Sequence, residues 1–129
     1  MQLSPRDPTD VELAWITGIW EGEGSWVFKK ARTRKHKNGK HYTEKPHLVM
    51  CLSMTDGDVV ERVAAVMDGR KVTHTDGGPS HKAAGCKPVF SLHISGSSAI
   101  RWTELMKPLL GERRRQKFED IKEKINASA

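Results

Sequence analysis

The sequence predicts an α+β domain in which helices cover one face of a four-stranded antiparallel sheet, in the order αββαββα, followed by a C-terminal helix. Two observations predict this fold. Segments with apolar residues at helical spacing alternate with pairs of segments in which apolar and polar residues take turns. The chain has 129 residues, of which 36% are hydrophobic, enough for one domain (residues 1–129) with a modest core.

The first helix begins near Thr9, because Thr9 and Glu12 have the spacing of a capping box. The segment from Leu13 to Trp20 contains no charged residue, so this helix is apolar on all sides and needs burial on all sides. A domain of this size rarely buries one helix so completely. We therefore expect it to pack against a second copy of the chain.

Small residues on the first helix indicate where that second copy would pack. Ala14, Gly18 and Gly22 are four residues apart and share one helical face, on which another backbone can approach closely. We expect these three residues to form a dimer interface. Tight packing within one chain is the alternative interpretation.

The first strand pair is predicted to be a long hairpin spanning residues 25–54. Strand-like sequence runs from Ser25 to about Arg34 and again from Pro46 to Met54. Between these segments lies Asn38-Gly39, a strong hairpin-turn signal.

Most of the positive charge of the chain lies in this hairpin. Between Lys29 and Lys45 there are eight Lys or Arg residues and one acid, Glu44, which gives a net charge of +7 in a chain of net charge +6. A basic hairpin suits the groove of a nucleic acid. A disordered, solvated charge run is the alternative.

The second half repeats the pattern of a helix followed by a strand pair. Thr55-Asp56 caps a helix with apolar residues on one face, and Gly69 ends it. The segments Arg70–Asp76 and Pro88–Ile94 are predicted to form the second strand pair, joined by the loop Gly77–Gly85.

Two helices complete the predicted order. One begins at Gly96 and stops before Pro108, and the other spans residues 111–126 approximately. Phe118, Ile121 and Ile125 have the spacing of a buried helical face.

Composition limits the class of protein. A sequence pI of about 9.5 favours a polyanionic partner. Cys51 and Cys86 have no CxxC spacing, which suggests reduced thiols, and six scattered histidines without paired cysteines argue against zinc. The chain shows neither a long apolar run nor a signal peptide, so we expect a soluble cytoplasmic protein.

The carboxyl end of the first helix carries the most informative group, Glu23. Helix carbonyls give that end partial negative charge, so a carboxylate there is repelled unless a cation binds. Two helices packed through Gly18 would bring two Glu23 carboxylates and two Gly22 carbonyls together. Hard oxygen ligands of this kind suit Mg²⁺. Glu21 lies on a different side of the helix and is interpreted as structural.

This segment resembles the LAGLIDADG signature of a family of homing endonucleases. The matching residues are Ile16 at the first Leu, Gly18, Glu21 and Glu23 at the two Asp positions, and Gly24. Two later segments, Met54–Val60 and Lys107–Lys117, resemble the start of the family's second helix and its P-x-L-x-x-K-x-x-Q stretch. The resemblance covers residues 10 to 125 approximately and contains one signature helix, like the homodimeric class.

The resemblance implies the LAGLIDADG-type fold and a site-specific endonuclease that hydrolyses both strands of a long, near-palindromic DNA site. Such enzymes depend on a divalent metal, here Mg²⁺, and belong to introns or other mobile elements. Glu23 matches the metal-binding carboxylate and the Gly22 carbonyl its neighbouring ligand. Arg113 falls on the basic catalytic position near the scissile phosphate, where the family usually has Lys, and Met54 falls near a position that is usually polar. Arg can hold a phosphate but does not readily transfer a proton.

We expect double-stranded DNA to bind the outward strand positions, the basic hairpin and the last helix. Alternation places Val27, Val49 and Cys51 on the outward face, and it places six residues in the core, namely Trp26, Phe28, Leu48, Met50, Phe90 and Leu92. Base contacts from the strands would read the sequence, whereas hairpin contacts to phosphate would fix the position on the duplex. The expected contact residues are Ser25, Lys29, Arg32, Arg34, Lys37, Lys40, His47, Lys71, Ser91, His93, Arg115 and Gln116.

Two alternative functions are also compatible with parts of this sequence. A non-cleaving LAGLIDADG-like DNA-binding regulator or RNA maturase would keep the fold without cutting, but Glu23 argues against a pure binder because its carboxylate would repel phosphate. A small basic structural protein, such as a ribosomal factor, would explain the charge but not the signature helix.

Overall fold

A computed structural model of the chain describes residues 7–75 and 87–128. The predicted loop Gly77–Gly85 lies outside this part of the chain, as do Asp76 and Cys86. Within it, helices and strands follow one another in the predicted order. They are α1 (Asp10–Glu23), β1 (Gly24–Lys29), β2 (Arg32–Lys35), β3 (His41–Glu44), β4 (His47–Met54), α2 (Gly57–Val66), β5 (Thr73–Thr75), β6 (Val89–Ser95), α3 (Gly96–Met106), a 3₁₀ turn (Lys107–Leu109) and α4 (Glu112–Ala127).

The main sheet is antiparallel and has the strand order β1-β4-β6-β5. The α+β fold class and its four-stranded sheet are therefore confirmed. Helices pack on one face of this sheet, with α3 and α4 lying against β4. None of the helices in residues 7–75 and 87–128 has the length and apolar character needed to cross a membrane.

The hydrophobic core lies between the sheet and the helices, and alternation along the strands supplies the sheet's share. Leu48, Met50 and Leu52 of β4 are fully buried, as are Leu92 and Ile94 of β6. The helices contribute a second set of buried side chains, namely Ile16, Trp20, Val60, Val63, Met67, Trp102, Met106 and Phe118. Each buried large side chain contributes about 1.5–3 kcal/mol relative to an exposed one.

Three tryptophans bury their rings and still satisfy their indole N–H groups. Trp20 Nε1 donates to the Met67 sulfur at 3.1 Å, and Trp26 Nε1 donates to the Thr103 hydroxyl at 2.9 Å. Trp102 Nε1 donates to the Asp68 carboxylate at 2.9 Å. A buried unsatisfied donor costs about 1–3 kcal/mol, so these bonds favour the observed packing of α1 and α3 against the segment after α2 and of α3 against β1.

The helix starts follow the sequence signals to different degrees. At α1 the capping box is present, with Glu12 N–H donating to Thr9 Oγ1 at 3.1 Å and Thr9 N–H donating to Glu12 Oε1 at 2.8 Å. At α2, Asp56 occupies the N-cap position but its side chain makes no capping hydrogen bond. The α2 helix ends at Val66, and a turn through Gly69 follows, in which Arg70 N–H donates to the Ala64 carbonyl at 3.1 Å.

The predicted hairpin over residues 25–54 divides into two ladders. β1 pairs with β4 in the main sheet, whereas β2 and β3 form a separate two-stranded sheet. The breaks lie at residues 30–31 and 45–46. Pro46 has no N–H to donate to a ladder, which explains the interruption on that side. The basic segment is therefore a structured extension of the main sheet and not a disordered charge run.

Candidate active site and DNA-facing surface

The turn from α1 into β1 places Glu23 at the edge of the sheet. Gly24 is buried at the helix C-cap, where a Cβ would lie 2.8 Å from the Trp20 carbonyl oxygen and closer still to the Trp20 ring. Only glycine fits there, so the strand can begin directly after the helix. Glu23 is exposed and has no hydrogen-bond or ion-pair partner among residues 7–75 and 87–128.

Glu21 fastens the end of α1 to the start of α4. Its Oε1 accepts a hydrogen bond from the backbone N–H of Gly111, the N-cap of α4, at 2.7 Å. Arg114 donates to the Glu21 backbone carbonyl at 3.1 Å, and its Nε lies 3.7 Å from Glu21 Oε2. The carboxylate also suits the positive N-terminal end of α4. Glu21 is thus a structural clamp, and Arg114 is the partner that sequence reasoning missed.

A basic cleft of about 300 Å³ lies where β1 meets α4. Its lining residues are Ser25, Trp26, Arg113, Arg114 and Lys117. The structure thus brings Arg113 together with Ser25, two residues beyond Glu23. Three cations in one cleft suit a phosphate group.

Lys117 lies on the last helix, where DNA contacts were expected, one helical turn beyond Arg113 on the same face. The i, i+4 spacing of the two residues was the signal that pointed to it. The two other site residues predicted on this helix are placed differently. Arg115 is exposed outside the cleft lining, and Gln116 donates to Asp120 at 2.9 Å.

The small-residue face of α1 is open in the single chain. Ala14, Gly18 and Gly22 are exposed, and a Cβ placed at either glycine would meet nothing within 4 Å. The opposite face of the helix is buried through Ile16, Thr17 and Trp20. The uncharged segment from Leu13 to Trp20 therefore leaves one face uncovered, which is the situation expected of a contact between copies.

The outward face of the sheet carries the residues that alternation predicted. Ser25, Lys29 and His93 are exposed, and His47 and Ser91 are half-buried. Lys29 stands directly opposite His47 across β1 and β4. The expected base-contacting residues of the main sheet therefore share one surface.

The middle of this outward face is less polar. Val27 of β1 stands opposite Val49 of β4, and Cys51 of β4 stands opposite His93 of β6. Burial raises the pKa of the Cys51 thiol, and the nearby Lys29 charge opposes that rise. Ser53 and Ser91 share a hydrogen bond of 2.9 Å.

The β2–β3 extension is held by its turn and by an ion-pair cluster. Gly39 has a φ of 86°, and Lys40 N–H donates to the Asn38 side chain at 3.0 Å, which closes the predicted turn. Lys37 and Lys40 are exposed in and beside this turn. Arg32 and Arg34 both pair with Glu44.

Lys71, another expected DNA contact, is exposed in the segment between α2 and β5.

In the described part of the chain, no three His, Cys, Asp or Glu side chains gather into a metal-binding group. One copy of the chain offers Glu23 and the Gly22 carbonyl at the end of α1. These are hard oxygen donors of the kind that Mg²⁺ prefers, but they amount to part of a coordination shell.

Comparisons with known proteins support the fold. Scans against family models and against curated proteins gave no match. Among solved structures, the chain is similar to the homing endonuclease I-CvuI in complex with its target, with a TM-score of 0.60 and 13% identity over 92% of this chain and 68% of that one. The archaeal intron-encoded homing endonuclease I-Vdi141I complexed with DNA gives a TM-score of 0.57 and 16% identity over 91% and 68%.

The LAGLIDADG homing endonuclease I-SmaMI bound to cleaved DNA gives a TM-score of 0.55 and 15% identity over 94% of this chain and 37% of that one. The chain has the LAGLIDADG fold. In this LAGLIDADG fold, the segment that carries the sequence resemblance forms the end of α1 and the turn into β1. The outward sheet face and the cleft beside Arg113 both adjoin that turn, through Ser25.

Proposed function

We propose that the protein is a homodimeric, divalent-metal-dependent endonuclease that cuts both strands of a long, near-palindromic duplex DNA site. One observation carries this proposal: the exposed Glu23, unpartnered within the described residues, lies two residues before Ser25, which lines a cleft together with Arg113, Arg114 and Lys117. A protein that only binds DNA gains nothing from a free carboxylate where phosphate has to approach. The similar solved structures named above, which are endonucleases bound to DNA, support the same activity.

Glu23 and the Gly22 carbonyl are the groups that would hold the metal. A carboxylate at the negative end of α1 requires a compensating cation, and the donor set is of the oxygen type. When bound, Mg²⁺ would supply Lewis-acid stabilisation of the charge that develops on the scissile phosphate.

The remaining site residues bind and orient the substrate. Arg113 has a planar guanidinium that can hold a phosphate through two parallel hydrogen bonds. Lys117 adds a mobile positive charge in the same cleft. Arg114 acts through Glu21 as a positioning residue, because it ties the start of α4 to the end of α1.

The outward sheet face would contact base edges in the major groove. Its polar side chains, Ser25, His47, Ser91 and His93, can donate to or accept from bases. Lys29 lies at the edge where the main sheet meets the β2–β3 extension. The extension, together with Arg115 and Gln116 of α4 and Lys71, would add contacts beyond that surface.

The proposed dimer forms through Ala14, Gly18 and Gly22. Close packing of two α1 helices would bring two Glu23 carboxylates towards one axis and complete a site that each chain supplies only in part. Two copies would also present two outward faces, which matches a target with two similar halves.

The test is cleavage of a plasmid library of random inserts with Mg²⁺ and, in parallel, with EDTA. We expect linear product with Mg²⁺ only. Glu23→Gln removes the anionic ligand but keeps the shape of the site, so it should abolish cutting while leaving duplex affinity nearly unchanged. Glu123→Gln, at an exposed carboxylate on α4, is the matched control and should cut like the wild type.

Three results would contradict the proposal in distinct ways. Sequence-specific binding without cutting at any metal concentration would favour the DNA-binding regulator. Wild-type cutting by Glu23→Gln would remove Glu23 from the active site. A protein that binds no duplex would refute both functions.

A further inference from the structure

Glu44 holds two arginines at once. Its Oε2 accepts from Arg32 Nε at 3.2 Å, and its Oε1 lies 2.9 Å from Arg34 Nε. Arg32 and Arg34 project from the same side of β2, and Glu44 stands opposite Arg32 on β3. One carboxylate therefore anchors both guanidinium groups, and each guanidinium is held through its Nε.

Anchoring through Nε leaves the outer edge of each guanidinium free. That edge carries the two terminal nitrogens, Nη1 and Nη2, whose N–H groups point in parallel. Two parallel donors match the O6 and N7 acceptors of guanine in the major groove. The arrangement also restricts each long side chain before DNA arrives, which reduces the entropy cost of binding.

The arginine pair shares a cleft with residues of the outward surface of the main sheet. A cleft of about 440 Å³ is lined by Arg32, Arg34 and Glu44 together with Lys29 and His47, and also by Lys30 and Ala31. Lys29 and His47 are outward residues of β1 and β4. A duplex that contacts the sheet is therefore in reach of the pair, and a two-stranded ribbon fits a major groove.

Charge favours a base over a phosphate as the partner. The side chains of Arg32, Arg34 and Glu44 together carry a net charge of +1. An approaching phosphate would be repelled by the Glu44 carboxylate. Guanine O6 and N7 are neutral acceptors and meet no such repulsion. Phosphate contacts are available instead to Lys35, Lys37 and Lys40, whose side chains have no ion-pair partner in residues 7–75 and 87–128.

We propose that Arg32 and Arg34, oriented by Glu44, are specificity residues that each read a guanine, in place of the phosphate contacts that charge alone predicts. This inference rests on the proposed DNA-binding function. Residues two apart on a strand are separated by about 6.8 Å, which is about two base-pair steps of 3.4 Å. Each half-site should therefore contain two guanine positions separated by two steps.

The experiment is selection of bound duplexes from a randomised pool in EDTA, so that recovery depends on binding and not on cutting. The wild type should enrich the guanine pair. Arg32→Lys and Arg34→Lys keep the charge but not the fork, so each should lose preference at one guanine position, by about 5-fold to 150-fold. The rest of the enriched sequence should stay the same.

Glu44→Gln and Lys37→Ala test whether the basic side chains of the extension contact bases or phosphates. Glu44→Gln releases the arginines to phosphate, so affinity for scrambled duplexes should rise and its salt dependence should become steeper. Lys37→Ala is the control for a phosphate contact. It should weaken all duplexes alike and reduce the slope of log K against log salt by about 0.9 per chain.

The outcomes distinguish a failure of this inference from a failure of the proposed DNA-binding function. If both Arg→Lys variants enrich the same sequence as the wild type, Arg32 and Arg34 are backbone contacts and the inference is wrong, while DNA recognition stands. If the wild type itself enriches no sequence, the proposed function fails first.

Discussion

Replacing Glu21 by Ala should loosen the junction between α1 and α4. The substitution removes the charged acceptor of the 2.7 Å hydrogen bond from Gly111 N–H. Hydrogen bonds to charged groups contribute about 1.5–3 kcal/mol. The contact with Arg114 at 3.7 Å is partly exposed, with 37% of the Glu21 side chain accessible, so it adds less than about 1 kcal/mol.

We therefore expect the free energy of unfolding to fall by about 2–3 kcal/mol. An unfolding entropy of about 2.1 cal/mol/K per residue gives roughly 0.27 kcal/mol/K for a chain of this length, so Tm should fall by about 7–11 °C. Urea and thermal unfolding followed by tryptophan fluorescence, without DNA or metal, measure both quantities.

Glu21→Gln is the matched control. Its amide oxygen can still accept from Gly111, so it should be destabilised by less than about 1 kcal/mol. The clamp would be disproved by a Glu21→Ala variant whose stability stays within about 0.5 kcal/mol of the wild type, the range of an ordinary surface substitution. If Glu21→Gln instead kept full stability but lost Mg²⁺-dependent cleavage, Glu21 would be a metal ligand.

Two further predictions concern the dimer and the cleft. Gly18→Leu should give a folded monomer at micromolar concentration in sedimentation, because a Cβ there meets nothing within 4 Å in one chain but would block a second backbone; a persisting dimer would place the interface elsewhere. Lys117→Met should slow single-turnover cleavage of bound DNA by about 100-fold, whereas Lys124→Met, on the same helix outside the cleft lining, should leave the rate unchanged. Equal rates for both variants would exclude Lys117 from the site.

Local sequence patterns were sufficient to predict the fold, because the signal for each helix, strand or turn lies within a few residues. The capping box at Thr9 and Glu12, the Asn38-Gly39 turn and the alternation along β4 all act over one turn or one strand. The same alternation placed His93 and Lys29 on the outward face. Periodicity therefore predicts both which residues form an element and which side of it is buried.

Contacts between distant segments could not be predicted in this way. Glu21 meets Gly111 and Arg114 some ninety positions later, and no local spacing encodes that approach. The division of the long hairpin depends on Pro46, which interrupts the ladder although the strand pattern includes it as the first residue of a strand. The pairing of Glu44 with two arginines depends on the register of β2 against β3, which is set by the length of the turn between them.

The separation of β2 and β3 from the main sheet has a consequence for how target preference evolves. Seven of their eight residues are exposed and the eighth, Glu44, is half-buried, and the hydrophobic core contains none of them. Exposed substitutions usually change stability by no more than about 0.5 kcal/mol. If the ribbon reads DNA as proposed, mutations in it alter which DNA is recognised without endangering folding, and a designer who wishes to retarget the protein can randomise residues 32–44 first.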